Sequence, residues 1–381
     1  MLNSLRFVWE LRIVQDDGTI DGKDFTATDA EKISIANSPG NAIINKIGHK
    51  LCSVPIGDHS GYYSWKTVLM QTYSYSNAIK TNNLGCEWFS TDSVTDTSKV
   101  NGNCAGFKAR AAGLRESKPF QLVTCPVLDF SSQQQTLAPG HQLELEIERT
   151  RDDIVLLCTD PNLRPKIKVL DFYAKIRTAT PTPTFRDQIS RRLTSATVPY
   201  QMSRNVIRIQ VFSEGTSNLY MPNMYRGKLP RALYCFFLNN NQLNGSYEHN
   251  PFIFKHYNVR EASVNINGVQ IPAGGLKIDH KKGYIAEAYR HLLDNVGLLN
   301  NEEALDVNMD TFEKCMFVLA FDLSPLGDNG NTKHAALEGA LSFNAVLDQP
   351  LPNPVTLMTH AVFENTVTVN KQLEVSLDYT I

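Results

Sequence analysis

Val264-Asn265-Ile266-Asn267-Gly268-Val269-Gln270-Ile271-Pro272 is the run on which the reading of this chain turns. It reads as a strand with a tight turn, bounded by turn residues and rich in β-branched side chains. A polar loop follows, then a short helix from Gly283. Its apolar residues Ile285, Ala288, Tyr289, Leu292 and Leu293 fall at the i, i+3, i+4, i+7, i+8 spacing of one buried face. Ile47 to Leu84 runs the same way: a strand, Val54-Pro55-Ile56, a polar loop, Gly61-Tyr62, a helix, then Leu84-Gly85. That helix carries Tyr62, Trp65, Leu69 and Tyr73 on one stripe. One architectural unit occurs twice. Ala262 to Leu298 therefore reads as scaffold, a helix covering one end of each of two domains, and not as a site.

The rest of the chain supports a doubled plan. A length of 381 residues exceeds a single hydrophobic core and predicts about two domains. Leu5 to Val14 alternates, with Phe7, Trp9, Leu11 and Ile13 on one face and Glu10 and Arg12 on the other, so it predicts a half-buried strand. Thr91 to Ser117 is rich in Gly, Ser, Asp and Thr and predicts a long surface loop. Strand candidates follow at Phe120–Val123, Leu143–Ile147, Ile154–Leu157 and Ile167–Arg177. Thr178-Ala179-Thr180-Pro181-Thr182-Pro183-Thr184 is the clearest linker, stiff and extended, with Thr184 placed to cap a short helix from Phe185 to Leu193. Beyond it, Ile207–Val211, Leu229–Leu238, Cys315–Leu323, Leu341–Leu347 and Val355–Phe363 read as strands. Leu341 to Phe363 echoes Leu143 to Ala174, two alternating strands near the close of each half. Arg204 to Arg226 has no partner ahead of Leu5–Val14. The expected fold is mainly β: two tandem antiparallel jelly rolls with short helices in inter-strand loops, over residues 1–198 (including the Pro/Thr linker, and without an opening strand) and 199–381.

Composition excludes several functions. The formal net charge is −2, which argues against a dedicated nucleic-acid binder. Basic clusters at Lys108/Arg110/Arg115/Lys118 and Arg186/Arg191/Arg192 read as solvated faces or interfaces. No stretch is long and apolar enough to span a membrane, and Met1 to Arg6 is no signal peptide. The seven cysteines (52, 86, 104, 125, 158, 235, 315) hold no C-x-x-C pair, which predicts free thiols in a reducing compartment.

Catalytic constellations are not evident. Asp58, His59 and Ser60 are consecutive and cannot converge as a triad; the better reading is a loop with Ser60 capping the next helix. Asp152-Asp153 and Glu302-Glu303 are adjacent and read as surface charge. His249 and His256 lack the further ligands of a metal site. Asn244-Gly245-Ser246 fits a glycosylation sequon and reads better as a turn. No catalytic, cofactor-binding or metal-ligating residue is assigned.

Several runs, taken in order and spacing, carry a family resemblance. They are Lys228-Leu229-Pro230-Arg231, Asn244-Gly245-Ser246-Tyr247, Asn250-Pro251-Phe252-Ile253-Phe254-Lys255-His256-Tyr257-Asn258, Phe321-Asp322-Leu323-Ser324-Pro325, Gly339-Ala340-Leu341-Ser342-Phe343 and Ala361-Val362-Phe363-Glu364-Asn365. The chain resembles the double jelly-roll, hexon-type major capsid proteins of the Polinton (Maverick), adintovirus and adenovirus-like lineages. The resemblance spans nearly the whole chain and is densest from Gly227 to Phe363. It implies a homotrimer presenting six jelly rolls as a pseudo-hexagonal capsomer, tiling an icosahedral shell around double-stranded DNA. Its partners would be further copies of itself, neighbouring capsomers, and penton and minor capsid proteins, with no specific nucleic-acid site. Its place would be the virion capsid after synthesis in the host cytoplasm, with assembly there or in the nucleus. Family members carry an arm and a strand ahead of the segment matching Leu5–Val14, where this chain starts.

Two other classes fit the same fold. A host-domesticated or lectin-like tandem jelly-roll binder would show a concave site with aromatics and paired polar groups. A hydrolase on two jelly rolls would show carboxylates converging at the domain junction.

Overall fold

The computed structural model describes the whole chain except residues 1, 58, 91, 93–96, 115–116, 132–134, 138–139, 196, 297–304, 325–336, 371, 373 and 380–381. The strands before the Pro/Thr stretch are β1 (Arg6–Gln15), β2 (Ile33–Ile35), β3 (Ile44–Leu51), β4 (Val54–Pro55), β5 (Phe120–Thr124), β6 (Leu143–Arg149), β7 (Leu156–Cys158) and β8 (Pro165–Lys175). After it come β9 (Val198–Phe212), β10 (Asn218–Lys228), β11 (Ala232–Asn239), β12 (Val259–Ile266), β13 (Val269–Lys277), β14 (Leu319–Asp322), β15 (Glu338–Leu347), β16 (Val355–Val369) and β17 (Val375–Leu377). Alternation made β1 legible: Phe7, Trp9, Leu11 and Ile13 are all buried. Each such side chain contributes about 1.5–3 kcal/mol.

The second half is a complete jelly roll. One sheet runs β14-β11-β16, with β9 along the opposite edge of β16 and β17 beside its end. The other runs β10-β15-β12-β13. Every pairing in both is antiparallel.

The first half repeats six of these positions. Its order β5-β1-β8 matches β14-β11-β16, and β4-β3-β6 matches β13-β12-β15. The small pair β2-β7 is additional. The repeated hairpins share their turn chemistry: Cys52-Ser53 (φ 48° and 68°) joins β3 to β4, and Asn267-Gly268 (φ 51° and 91°) joins β12 to β13. Two successive left-handed residues match the right-handed twist of a hairpin. No counterpart of β9 or β10 lies among the described residues of the first half.

The two halves pack into one body. Buried residues of both belong to a continuous apolar cluster, from Phe7 and Trp65 through Phe236 to Phe363. At its centre is the helix Tyr63–Ser74. The sequence marked a single stripe on this helix, yet Tyr63, Trp65, Val68, Leu69 and Tyr73 are buried together with Ser64, Lys66, Thr67, Gln71 and Thr72. The reason is the second half. The Trp65 Nε1–H donates to the Pro251 carbonyl at 3.2 Å, and the Tyr73 hydroxyl donates to the Met316 carbonyl. This helix is a seam, not a cover over one end. Its echo, Ala286–Val296, buries only Ala288, Leu292 and Asn295 and is amphipathic as the spacing predicted.

Several local expectations need correction. Thr91 to Ser117 is not merely a surface loop: it carries the helix Ala105–Ala111, and Cys104 and Phe107 pack on Leu157. Ile154–Leu157 is not one strand; the short helix Asp152–Val155 ends before β7. Ser60 is not the N-cap of the seam helix, which starts at Tyr63 with Tyr62 in the N-cap position. The helix after the linker forms, but at Pro183–Ser195: Pro183 and Thr184 are its first residues, so Thr184 is not its cap and the extended stretch ends earlier than expected.

Candidate functional site: the junction between the two rolls

Polar residues buried where the halves meet form the most organised constellation in the structure. The seam helix brings Lys66, the turn Asp129–Ser131 brings Asp129, β9 brings Asn205, and β16 brings His360. Lys66 Nζ lies 2.7 Å from Asp129 Oδ1, with both side chains withdrawn from solvent. Asn205 donates its backbone N–H to Asp129 Oδ2 at 3.2 Å and its Nδ2–H to Oδ1 at 2.8 Å. Asn205 Oδ1 lies 2.9 Å from His360 Nε2. A carboxamide oxygen only accepts, so His360 donates through Nε2. Its ring stacks on Tyr234 with centroids 5.7 Å apart.

The charges follow from these contacts. Burial alone would raise the Asp129 carboxyl. The Lys66 ammonium, the nearby His49 and the hydrogen bonds from Lys66 and Asn205 outweigh it, and the carboxyl sits below its usual range. His360 is pushed down to about 3, first by burial and then by Lys66. His49, on β3, falls to about 4, chiefly by burial. The junction thus holds an ionised carboxylate, an ammonium partner and neutral imidazoles.

A cavity of about 290 Å³ opens beside this network, lined among others by Asp129, Asn205, Arg231, Tyr234 and His360. Among the described residues lining it, Asp129 is the one acid, and Lys66 and Asn205 already occupy its oxygens. The convergent carboxylates that a hydrolase at this junction requires are not present among the described residues that line the cavity. Nor do the described residues include a group of three or more His, Cys, Asp or Glu able to hold a metal ion.

Two further buried polar centres support the first half. Glu87 accepts from Gln71 Nε2 at 2.8 Å, Asn41 Nδ2 at 3.2 Å and the Cys125 backbone N–H at 2.8 Å. Burial raises its carboxyl despite these donors. Arg110 pairs with Asp92 at 2.9 Å and donates to the carbonyls of Ile35 and Ser90. Arg110 was expected on a solvated basic face; it is buried because Asp92 and these carbonyls replace water.

The other weighed residues disperse. His59 lies near His49, with ring centroids 6.3 Å apart, and Asp58 falls outside the described residues. Asp152 and Asp153 open a short helix and pair separately with Arg149 and Arg151. Asp152 is not simple surface charge: burial raises its carboxyl, and it accepts the Ile167 N–H at 3.3 Å. Glu302, Glu303 and Arg115 also fall outside the described residues. His249 sits 3.2 Å from Ser246 Oγ, whereas His256 stacks on His280 at 3.8 Å. Asn244 ends the short helix Asn240–Asn244, before Gly245 at φ 86°. The described cysteines are free thiols. No described helix is long and apolar enough to cross a membrane.

Sequence reasoning missed Lys66, Asp129, Asn205 and His360, since no local motif joins residues so far apart. One signal was there to use: His360 is a ring nitrogen base inside the apolar run Val355–Phe363.

Two antiparallel jelly rolls in one chain, packed across a shared core, define the class of fold. Comparison with known proteins agrees. No family model matches the chain. An uncharacterized protein of Caenorhabditis elegans, F54H12.2, is 24% identical over 309 residues, which is 76% of this chain and 70% of that protein. The Sputnik virophage structure aligns over 100% of this chain and 83% of its own, at 11% identity and a TM-score of 0.57. The quasi-atomic model of the PBCV-1 virus capsid aligns over 99% and 89%, at 11% identity and 0.56. PBCV-1 VP54, fitted into a reconstruction of Sputnik, aligns over 100% and 91%, at 10% identity and 0.56. At such identities the likeness is one of fold. This chain has the double jelly-roll fold found in viral major capsid proteins.

Proposed function

We propose that the chain is a structural capsid subunit of the hexon-like kind, without catalysis. The observation that carries the reading is the doubled topology, with two jelly rolls locked by a buried seam into one rigid unit. A shell subunit needs a stiff body and variable loops, and the polar network at the junction contributes rigidity with no reactive group left unengaged at Asp129. On this reading residues 1–198 and 199–381 are the two rolls. Three copies form a pseudo-hexagonal capsomer through a heterologous interface that closes as a ring. The capsomers tile an icosahedral shell around double-stranded DNA, with penton and minor capsid proteins as further partners and the virion as the location. The sequence resemblance supports a Polinton, adintovirus or adenovirus-like lineage.

Light scattering on the purified protein tests this directly. A trimer with a hexagonal outline in negative stain is expected. A monomer across micromolar concentrations near neutral pH overturns the capsomer reading, and glycan-array binding by that monomer would favour a lectin-like protein.

A further inference from the structure

Four junction residues stand in the arrangement that an amide-forming step requires. Lys66 Nζ and Asn205 Nδ2 meet on a single oxygen, Asp129 Oδ1, at 2.7 Å and 2.8 Å. The Asn205 backbone N–H holds the other carboxylate oxygen at 3.2 Å and pins the carboxyl group in place. Asn205 Nδ2 also donates to the Ser203 carbonyl at 3.1 Å, which fixes the plane of the carboxamide. The carboxamide oxygen takes the His360 Nε2–H at 2.9 Å. An amine, a carboxyl group placed to carry protons, a carbonyl carbon and a donor on that carbonyl's oxygen are therefore neighbours.

Water would quench such an arrangement at a surface. Here Lys66, Asp129, Asn205 and His360 are 6%, 1%, 4% and 2% exposed. In so dry a setting a proton can pass transiently from the Lys66 ammonium to Asp129, because a neutral pair carries less desolvation cost than an ion pair. The amine so formed is a nucleophile. The fixed N–H of His360 polarises the carbonyl and stabilises the negative charge that builds on its oxygen. The cavity beside the network, lined by Asp129, Asn205 and His360, gives a small leaving molecule a place to go.

We propose that Lys66 and Asn205 join in an isopeptide bond, which the chain forms on itself with Asp129 and His360 as the catalytic residues. The Lys66 Nζ lone pair bonds to Asn205 Cγ, and the carbonyl electrons move to Oδ1, where the His360 Nε2–H holds them. Asp129 hands the proton it took from Lys66 to Asn205 Nδ2. The Cγ–Nδ2 bond breaks, ammonia leaves, and Asp129 takes a second proton from Nζ. The products are a neutral secondary amide, one ammonia and a protonated Asp129, with nothing oxidised or reduced. The bond ties the seam helix of the first roll to β9 of the second. It forms once in each molecule, without turnover, and the unlinked chain described above is its starting state. The proposal does not depend on the capsid reading.

Intact-mass spectrometry tests it on the purified full chain, held near neutral pH for several days and then denatured. The mass is expected to fall by about 17 Da, one ammonia, and a protease digest to contain a branched peptide linking Lys66 to Asn205. Lys66→Met and Asp129→Asn are expected to keep the full mass. His360→Phe is expected to slow the linkage at least tenfold. Each substitution also removes a buried partner, so the unsubstituted chain decides: full mass throughout overturns the proposal. So does the same branched peptide in Asp129→Asn, or a loss of about 18 Da that joins Lys66 to Asp129 instead. A loss of about 17 Da found as a cyclic imide at an Asn-Gly step, such as Asn101-Gly102 or Asn267-Gly268, with no branched peptide, overturns it as well.

Discussion

Replacing Asp129 by Asn asks whether the junction is held by charge or merely by shape. The substitution keeps the volume and leaves an oxygen for Asn205, but it strips Lys66 of its counter-ion. At 2.7 Å and an effective dielectric of about 20, the gross attraction is roughly 6 kcal/mol. Desolvation of both groups offsets much of this, so the pair adds little against an apolar replacement. Breaking it from one side is different, because a buried ammonium is left alone. The expected cost is about 3–5 kcal/mol. In urea, with a slope of about 3 kcal/mol per molar, the unfolding midpoint should fall by about 1 M or more. Trp65, adjacent to Lys66 on the seam helix, makes intrinsic fluorescence a suitable reporter. The double variant Lys66→Met/Asp129→Asn removes the stranded charge as well and should recover at least half of the loss, a non-additivity expected of residues in direct contact. If Asp129→Asn costs less than about 1 kcal/mol, or if the double variant costs the sum of the singles, the pair does not hold the seam.

Two further outcomes follow from other buried groups. His49 and His256 are held down at about 4 and His360 at about 3, mainly by burial, so the folded chain keeps them neutral while the unfolded chain protonates them near 6.5. Their stabilising contribution is full above about pH 6.5 and is lost as pH falls toward 4, roughly 3 kcal/mol for each of the fully buried His49 and His360. Asp129, being depressed, adds its own loss only at lower pH. Urea midpoints should therefore drop between pH 7 and pH 4.5, less steeply in His360→Gln, and a flat profile would contradict the assignment. Arg110→Leu should cost about 3–5 kcal/mol by taking the guanidinium counter-charge away from the buried Asp92 carboxylate. Lys108→Ala, an exposed change on the same helix, should stay within about 0.5 kcal/mol. Equal effects would return Arg110 to the solvent-facing role its sequence neighbourhood suggests.

What could be read from the chain and what could not divide along one physical line. Strands with one wet face announce themselves, as in Phe7, Trp9, Leu11 and Ile13 against Glu10 and Arg12. The Asn267-Gly268 turn and the helix from Ala286 were equally local in origin. The seam helix was not, because its buried face depends on Pro251 and Met316, nearly two hundred residues or more away in sequence. A helix buried all round shows no periodicity to betray its partner. The same holds for Arg110, whose charge suggests water until Asp92 and the Ile35 carbonyl are brought to it. The repeat itself was legible as matching order and spacing. The sequence already showed Arg204–Arg226 without a counterpart ahead of Leu5–Val14; that six strands match and β9, β10 and β17 do not needed hydrogen-bond topology.

The seam helix has a consequence for how such a molecule arises and folds. Doubling a jelly roll would first give two independent modules on a string, each with a wet surface where they meet. In this chain the meeting surface has become interior. Trp65 and Tyr73 on one side, and Pro251 and Met316 on the other, now satisfy each other's polar groups in a dry environment. Separating the two copies would expose an apolar helix and open a buried ion pair, so each is expected to be less stable alone than in the chain. Joined in this way, the two rolls are expected to unfold in one transition in urea, where two modules on a string would give two.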